Sequence, residues 1–290
     1  MRRRRLFGLI GGATIGCLAV AAARAEPATV YSASADGKTA LVGYLYFPQT
    51  AGPHPAVVML HGRGGPYSTN ANKDCTLVAK DIPSPCNASS LSSRHAAWGA
   101  YWAEHGYLAL LPDSFGPRNK GHGFGRFTHD DPDRDDVNER TVRPLDAEGA
   151  LKYLQSRDDV TADRIFLQGW SNGASTALNV MFRQVSPAAG GFRAAMAFYP
   201  GCGRGALISQ DYRTRTPVTI FLASDDEEVS PAVCHRVLDR AQSNGSPIEV
   251  VDYPGATHDF DWPGNKRQSV EGNRAAREDV LRRTPGLFAN

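Results

Sequence analysis

Cysteine is scarce in this chain, with 5 in 290 residues, and none of them forms a Cys-x-x-Cys pair or a Cys/His cluster. A metal site of the usual ligand spacing is thereby excluded. Net charge is equally small: 32 Lys and Arg stand against 30 Asp and Glu, and past Arg2–Arg5 no basic stripe stands out. The chain has no electrostatic footprint for nucleic acid or an anionic membrane surface. Linkers, repeats and low-complexity tracts that would divide it are also lacking, so its length suits one large domain with a substantial core.

What is present begins with a leader. Met1-Arg-Arg-Arg-Arg opens an apolar stretch that closes at Ala23-Arg24-Ala25, before Glu26-Pro27. A basic start, an apolar middle and small residues at the end predict a secretory signal peptide over residues 1–25, followed by a single mature domain, residues 26–290. Arg4-Arg5-Leu6-Phe7 loosely resembles a twin-arginine signal, although its flanks suit the general secretory route better. Loss of Arg2, Arg3, Arg4, Arg5 and Arg24 would take the formal charge from +2 to −3. The expected location is the periplasm or the cell exterior, with no membrane association after cleavage. Cys75, Cys86, Cys202 and Cys234 remain, and an even count in an exported chain predicts two disulfides. Three pairings are open. The favoured ones are Cys75–Cys86, closing a short polar loop, and Cys202–Cys234, joining the ends of neighbouring strands.

Along residues 26–290, apolar runs alternate with helical spacing. The stretches 28–33 and 41–47 flank Asp36-Gly37-Lys38 and read as a hairpin at one sheet edge. Continuous apolar runs at 55–60, 107–111, 164–167, 193–199, 218–222 and 248–253 suit strands buried on both faces. Helical spacing appears at 94–104, 142–154, 232–241 and 270–283. This order predicts an α/β fold built on a doubly wound, mostly parallel sheet of about seven or eight strands, with chemistry at the strands' carboxyl ends. The polar stretch 66–92 reads as an insertion over the top of the sheet. The Gly-, His- and Asp-rich stretch 115–136, with Phe124 and Phe127, is long enough to be a binding loop.

The chemistry centres on Gly169-Trp170-Ser171-Asn172-Gly173. An apolar strand leads into it and a small-residue helix leaves it, which is the setting of a nucleophile elbow. Glycines two before and two after the serine suit a turn too sharp for side chains there, and the helix behind aims N–H groups at the same spot. A serine alcohol needs a base, and the base needs an orienting acid. In this fold class they follow in the order serine, acid, histidine. His258 follows the last strand. The acid lies in Asp225-Asp226-Glu227-Glu228, after the strand at 218–222, and the residues alone do not say which it is.

His61-Gly-Arg-Gly-Gly, Gly106-Tyr-Leu-Ala-Leu-Leu-Pro-Asp-Ser-Phe-Gly-Pro, Gly169-Trp-Ser-Asn-Gly, Phe198-Tyr-Pro-Gly-Cys and Tyr253-Pro-Gly-Ala-Thr-His-Asp-Phe together resemble the dienelactone hydrolase family of the α/β-hydrolase superfamily. The likeness runs from about Thr39 to the C-terminal helix. The family's spacing to Cys234 implies Asp226 as the acid. Named dienelactone hydrolases carry a cysteine nucleophile, so Ser171 is similar instead to an exported, serine-bearing branch.

The resemblance implies a serine carboxylester hydrolase with a Ser171–His258–Asp226 triad, acting on small esters or lactones through an acyl-enzyme. The backbone N–H groups of Asn172 and Arg63 would form the oxyanion hole. The Arg63 side chain would either bind a substrate carboxylate or face solvent. Trp170, Phe115 and Tyr199 are the candidate pocket walls. No cofactor or metal is called for, and the expected partner is a small-molecule substrate; the sequence does not fix an oligomeric state. Two other readings stand beside this one: a catalytically inactive hydrolase fold used for binding, and a polyester hydrolase or peptidase of the same superfamily.

Overall fold

A computed structural model describes residues 26–184, 190–203, 206, 208 and 211–288. The expected signal peptide, residues 1–25, lies outside them. The architecture is one eight-stranded sheet with helices on both faces. The strands are β1 (Ala28–Ala33), β2 (Ala40–Tyr46), β3 (His54–Leu60), β4 (Leu108–Asp113), β5 (Val160–Trp170), β6 (Ala195–Phe198), β7 (Val218–Ala223) and β8 (Ile248–Tyr253). Their order across the sheet is β1-β2-β4-β3-β5-β6-β7-β8. β2 pairs antiparallel with both β1 and β4, and every other neighbour is parallel. The expected hairpin is β1–β2, its turn held by Asp36, whose Oδ1 accepts N–H bonds from Lys38 and Thr39 at 2.7 and 2.8 Å.

The helices are α1 (Thr69–Asn72), α2 (Ser93–Glu104), α3 (Arg143–Gln155), α4 (Asn172–Arg183), α5 (Pro231–Ser243), α6 (Asn265–Gln268) and α7 (Glu271–Leu287). Strand alternation divides the core into two layers. Val58, Leu60, Ile165 and Leu167 face the side packed by α3, α4 and α5, through Leu151, Leu178 and Leu238. Val57, Met59, Phe166 and Trp170 face the other, packed by α2 and α7, through Trp98, Trp102 and Val280. Both faces are covered, which is why the central strands read as unbroken apolar runs. Among the described residues, no helix is long and apolar enough to cross a membrane.

Three departures from the sequence reading of the boundaries have a local cause or bear on the site. β5 starts at Val160, which pairs with His54 ahead of an irregularity in the β3–β5 ladder. β6 is only four residues long, because Tyr199 takes a positive φ of 39° and turns the chain out of the sheet. α7 runs on to Leu287, through Pro285.

Both favoured disulfides are present. Cys75–Cys86 closes the loop between α1 and α2. Cys202–Cys234 does not join two strand ends: it ties the segment after β6 to the first turn of α5.

Candidate active site

β5 delivers Ser171 at its carboxyl end, and α4 begins at the next residue. Ser171 has φ 51° and ψ −116°, a backbone state that non-glycine residues rarely hold. Its N–H bonds Phe198 O at 2.9 Å, which fixes the turn to β6. The flanking glycines have a steric cause. A Cβ on Gly169 would stand 2.3 Å from Gly173 O, and a Cβ on Gly173 would stand 2.1 Å from Leu60 O. Either side chain would force strand and helix apart.

His258 comes from the loop after β8, and Asp226 from the loop after β7. His258 Nε2 is 3.0 Å from Ser171 Oγ, and Nδ1 is 2.8 Å from Asp226 Oδ2. The other Asp226 oxygen accepts the N–H groups of Glu228 and Val229 at 2.8 and 2.9 Å, so the carboxylate cannot swing away. The backbone N–H of His258 bonds Glu227 Oε2 at 2.9 Å. Burial opposes a charged imidazole here. The hydrogen bond to Asp226 and the carboxylates of Asp259, Asp226 and Glu228 outweigh it and raise the His258 pKa above its ordinary value. The arrangement can accept a proton from a serine and hold it as imidazolium.

Asn172 opens α4, so its N–H is among those without an intrahelical acceptor. Arg63 lies opposite, in the turn that follows β3. That turn is held from below: His61 is fully buried, its Nδ1 bonds Gly62 O at 2.8 Å, and its Nε2 accepts the Ser114 N–H at 3.2 Å. Arg143 joins the two halves. Its guanidinium, wholly buried, donates to Asn172 Oδ1 and, at 2.7 Å, to His61 O. Burial brings its pKa down to about 10, which leaves it charged at neutral pH.

Two clefts open beside Ser171. The larger, about 150 Å³, runs past Tyr67, Thr69, Arg94 and Trp262; the smaller, about 30 Å³, runs past Phe127, His129, Ser175 and Val229. Both expected loops thus reach the site, 66–92 through Tyr67 and Thr69 and 115–136 through Phe127 and His129.

The three aromatic residues expected as pocket walls do not line either cleft. Trp170 and Tyr199 are fully buried and Phe115 almost so. Trp170 and Tyr199 both donate to Asp261, and Phe115 packs edge-on against His61. They form the floor under the site, Tyr199 with its ring centroid 4.6 Å from that of His258. The Arg63 side chain, 23% exposed, does not stand free for a substrate carboxylate: it is paired with Glu228 at 2.8 Å.

Several residues of the site have no signal of their own in the sequence. Arg143 is one arginine among many, betrayed only by its place beside Pro144 at a helix start. Arg94 is buried against Asp259, which it holds well below the usual carboxylate range despite burial, and it also donates to Tyr199 at 2.8 Å. Glu228 is hidden in an acidic run that reads as a solvated loop.

Solved structures with this architecture include a Klebsiella pneumoniae protein assigned to the dienelactone hydrolases, 15% identical, with a TM-score of 0.66 over 91% of this chain and 99% of that one. A dienelactone hydrolase-like promiscuous phosphotriesterase from metagenomic libraries is 18% identical, with a TM-score of 0.63 over 90% and 96% of the two chains. Esterase 2 of Thermogutta terrifontis is 15% identical, with a TM-score of 0.58 over 90% and 95%. At these identities the likeness establishes the shared hydrolase fold. The dienelactone hydrolase family model matches residues 92–290, the span that carries the elbow, the acidic loop and His258. With that match over most of its length, the chain belongs to the dienelactone hydrolase family of hydrolases.

Proposed function

We propose that the protein is a serine carboxylester hydrolase that cleaves small esters or lactones through an acyl-enzyme on Ser171. The observation that carries this reading is His258, bonded at once to Ser171 Oγ at 3.0 Å and to Asp226 at 2.8 Å. Ser171 Oγ attacks the ester carbonyl carbon as its proton passes to His258 Nε2. The negative charge formed on the carbonyl oxygen falls to the N–H groups of Asn172 and Arg63, each worth on the order of 3 kcal/mol at the transition state. Asp226 holds the imidazolium in place. The same Nε2 proton then goes to the departing alcohol oxygen as the C–O bond breaks. Water enters, gives its proton to His258 and attacks the acyl carbon; the acid leaves and Ser171 regains its proton.

The experiment is hydrolysis of chromogenic esters and lactones by residues 26–290, beside Ser171→Ala. Parent activity that falls by several orders of magnitude in the variant is the expected result. Equal activity in both proteins would remove Ser171 from the reaction.

The two disulfides suit maturation outside a reducing cytosol. We extend the proposal to export with loss of residues 1–25: protein recovered from the periplasm or medium should begin at Glu26, and a chain that keeps Met1 in the cytosol would refute it.

A further inference from the structure

Ser171 is not the only residue common to both clefts: Arg63 and Glu228 border each of them as well. The Arg63 guanidinium gives Glu228 Oε2 two bonds, from Nη2 at 2.8 Å and from Nε at 3.2 Å. Its Nη1 bonds Phe124 O at 3.0 Å. Arg126 Nε closes on the second Glu228 oxygen at 2.7 Å. A carboxylate whose side chain is only 7% exposed is thus fixed beside the nucleophile, 3.7 Å from His258 Nε2. The pair ties the turn after β3 to the loop after β7, one wall of the site to the other. On one side lies a space of about 150 Å³, on the other one of about 30 Å³. The first holds roughly one benzene-sized group and the second roughly one water. Neither side chain gives or takes a proton in the transfers described above.

We infer that the Arg63–Glu228 ion pair is a partition that splits one substrate groove at Ser171 and restricts the enzyme to short acyl groups. With the pair in place, neither cleft accepts a long chain. With it removed, the clefts join past the nucleophile into a single groove lined by Trp262 at one end and Phe127 at the other. The inference rests on the ester hydrolase reading.

The test compares the parent with Glu228→Ala, Arg63→Ala and Glu228→Gln on p-nitrophenyl esters from acetate to decanoate. The readout is the ratio of kcat/KM on decanoate to that on acetate. Taken within one protein, it cancels changes in His258 basicity, which act on every ester alike. Both alanine variants open the same wall from opposite sides, and Arg63→Ala keeps its backbone N–H, so one serves if the other does not fold. In each the ratio should rise at least about tenfold, because every methylene newly buried is worth about fourfold. Glu228→Gln keeps the length of the wall, and its ratio should stay close to the parent's. An unchanged ratio in the alanine variants, or a parent that already prefers decanoate, overturns the partition. If the parent still loses its activity in Ser171→Ala, the hydrolase reading survives that result. If the parent hydrolyses no ester at all, that reading fails and the partition is read from binding alone. Decanamide, which needs no nucleophile, should then bind the alanine variants at least about tenfold more tightly than the parent in calorimetry, and equal affinity overturns the inference.

Discussion

Glu228→Gln should carry the acid limb of the pH–activity profile to lower pH by about one unit. In the parent, Glu228 Oε2 lies 3.7 Å from His258 Nε2 and favours the imidazolium. Two unit charges at that separation interact by about 1 kcal/mol even at the dielectric constant of water, which is close to one pKa unit. Burial of the Glu228 side chain enlarges this interaction, and the two arginines that share the carboxylate reduce it. Neutralising Glu228 also leaves Arg63 without its carboxylate partner near the imidazole, which pushes in the same direction. The sign follows. A base must be neutral to accept the serine proton; loss of a neighbouring negative charge lowers the His258 pKa, and the neutral form persists to lower pH. The assay is kcat/KM on a small, neutral ester across the acid range, since that parameter reports the free enzyme's ionisations. A limb that stays in place, or moves to higher pH, would refute the electrostatic account of His258.

Two further substitutions probe the scaffold of the site. Gly173→Ala puts a methyl group 2.1 Å from Leu60 O, a backbone atom in the middle of the sheet. It should cost about 3 kcal/mol and lower the melting temperature by roughly 6–12 °C in calorimetry; a loss below about 1 kcal/mol would mean that α4 is free to shift away from β3. Arg143→Met orphans Asn172 Oδ1 and His61 O in the interior, at about 1–3 kcal/mol for each acceptor. Urea unfolding should show that loss, and kcat should fall more than KM rises, because the two segments that Arg143 joins carry the proposed oxyanion donors. An effect on KM alone would place its role in substrate binding.

The parts of the site that the sequence announces are those where local chemistry leaves few choices. Gly169 and Gly173 are legible because no side chain fits between β5, α4 and β3. His258 and the acidic run are legible because strand order puts the loops after β7 and β8 beside the elbow. The acid itself was not separable from its neighbours by composition; in the structure Asp226 faces Nδ1 while Glu227 caps the His258 N–H and Glu228 meets Arg63. Trp170 and Tyr199 are expected as pocket walls but lie wholly buried beneath the site. Alternation along β5 instead turns Trp170 down into the α2–α7 layer, where Asp261 receives it. Arg143, Arg94 and Glu228 were out of reach for one reason: each owes its role to a partner far along the chain, 29, 165 and 165 residues away respectively.

The four tryptophans divide in a way that bears on spectroscopy. Trp98 and Trp170 each donate their indole N–H to Asp261, at 2.7 and 2.8 Å, and Trp102 donates to Gln168 at 2.6 Å; all three are buried. Trp262 alone borders the larger cleft, with the Arg94 guanidinium 5.1 Å from its ring. Three of the emitters are shielded from solvent and the fourth sits where a ligand would enter. A change in intrinsic fluorescence on adding ligand that Trp262→Phe abolishes therefore reports on that cleft.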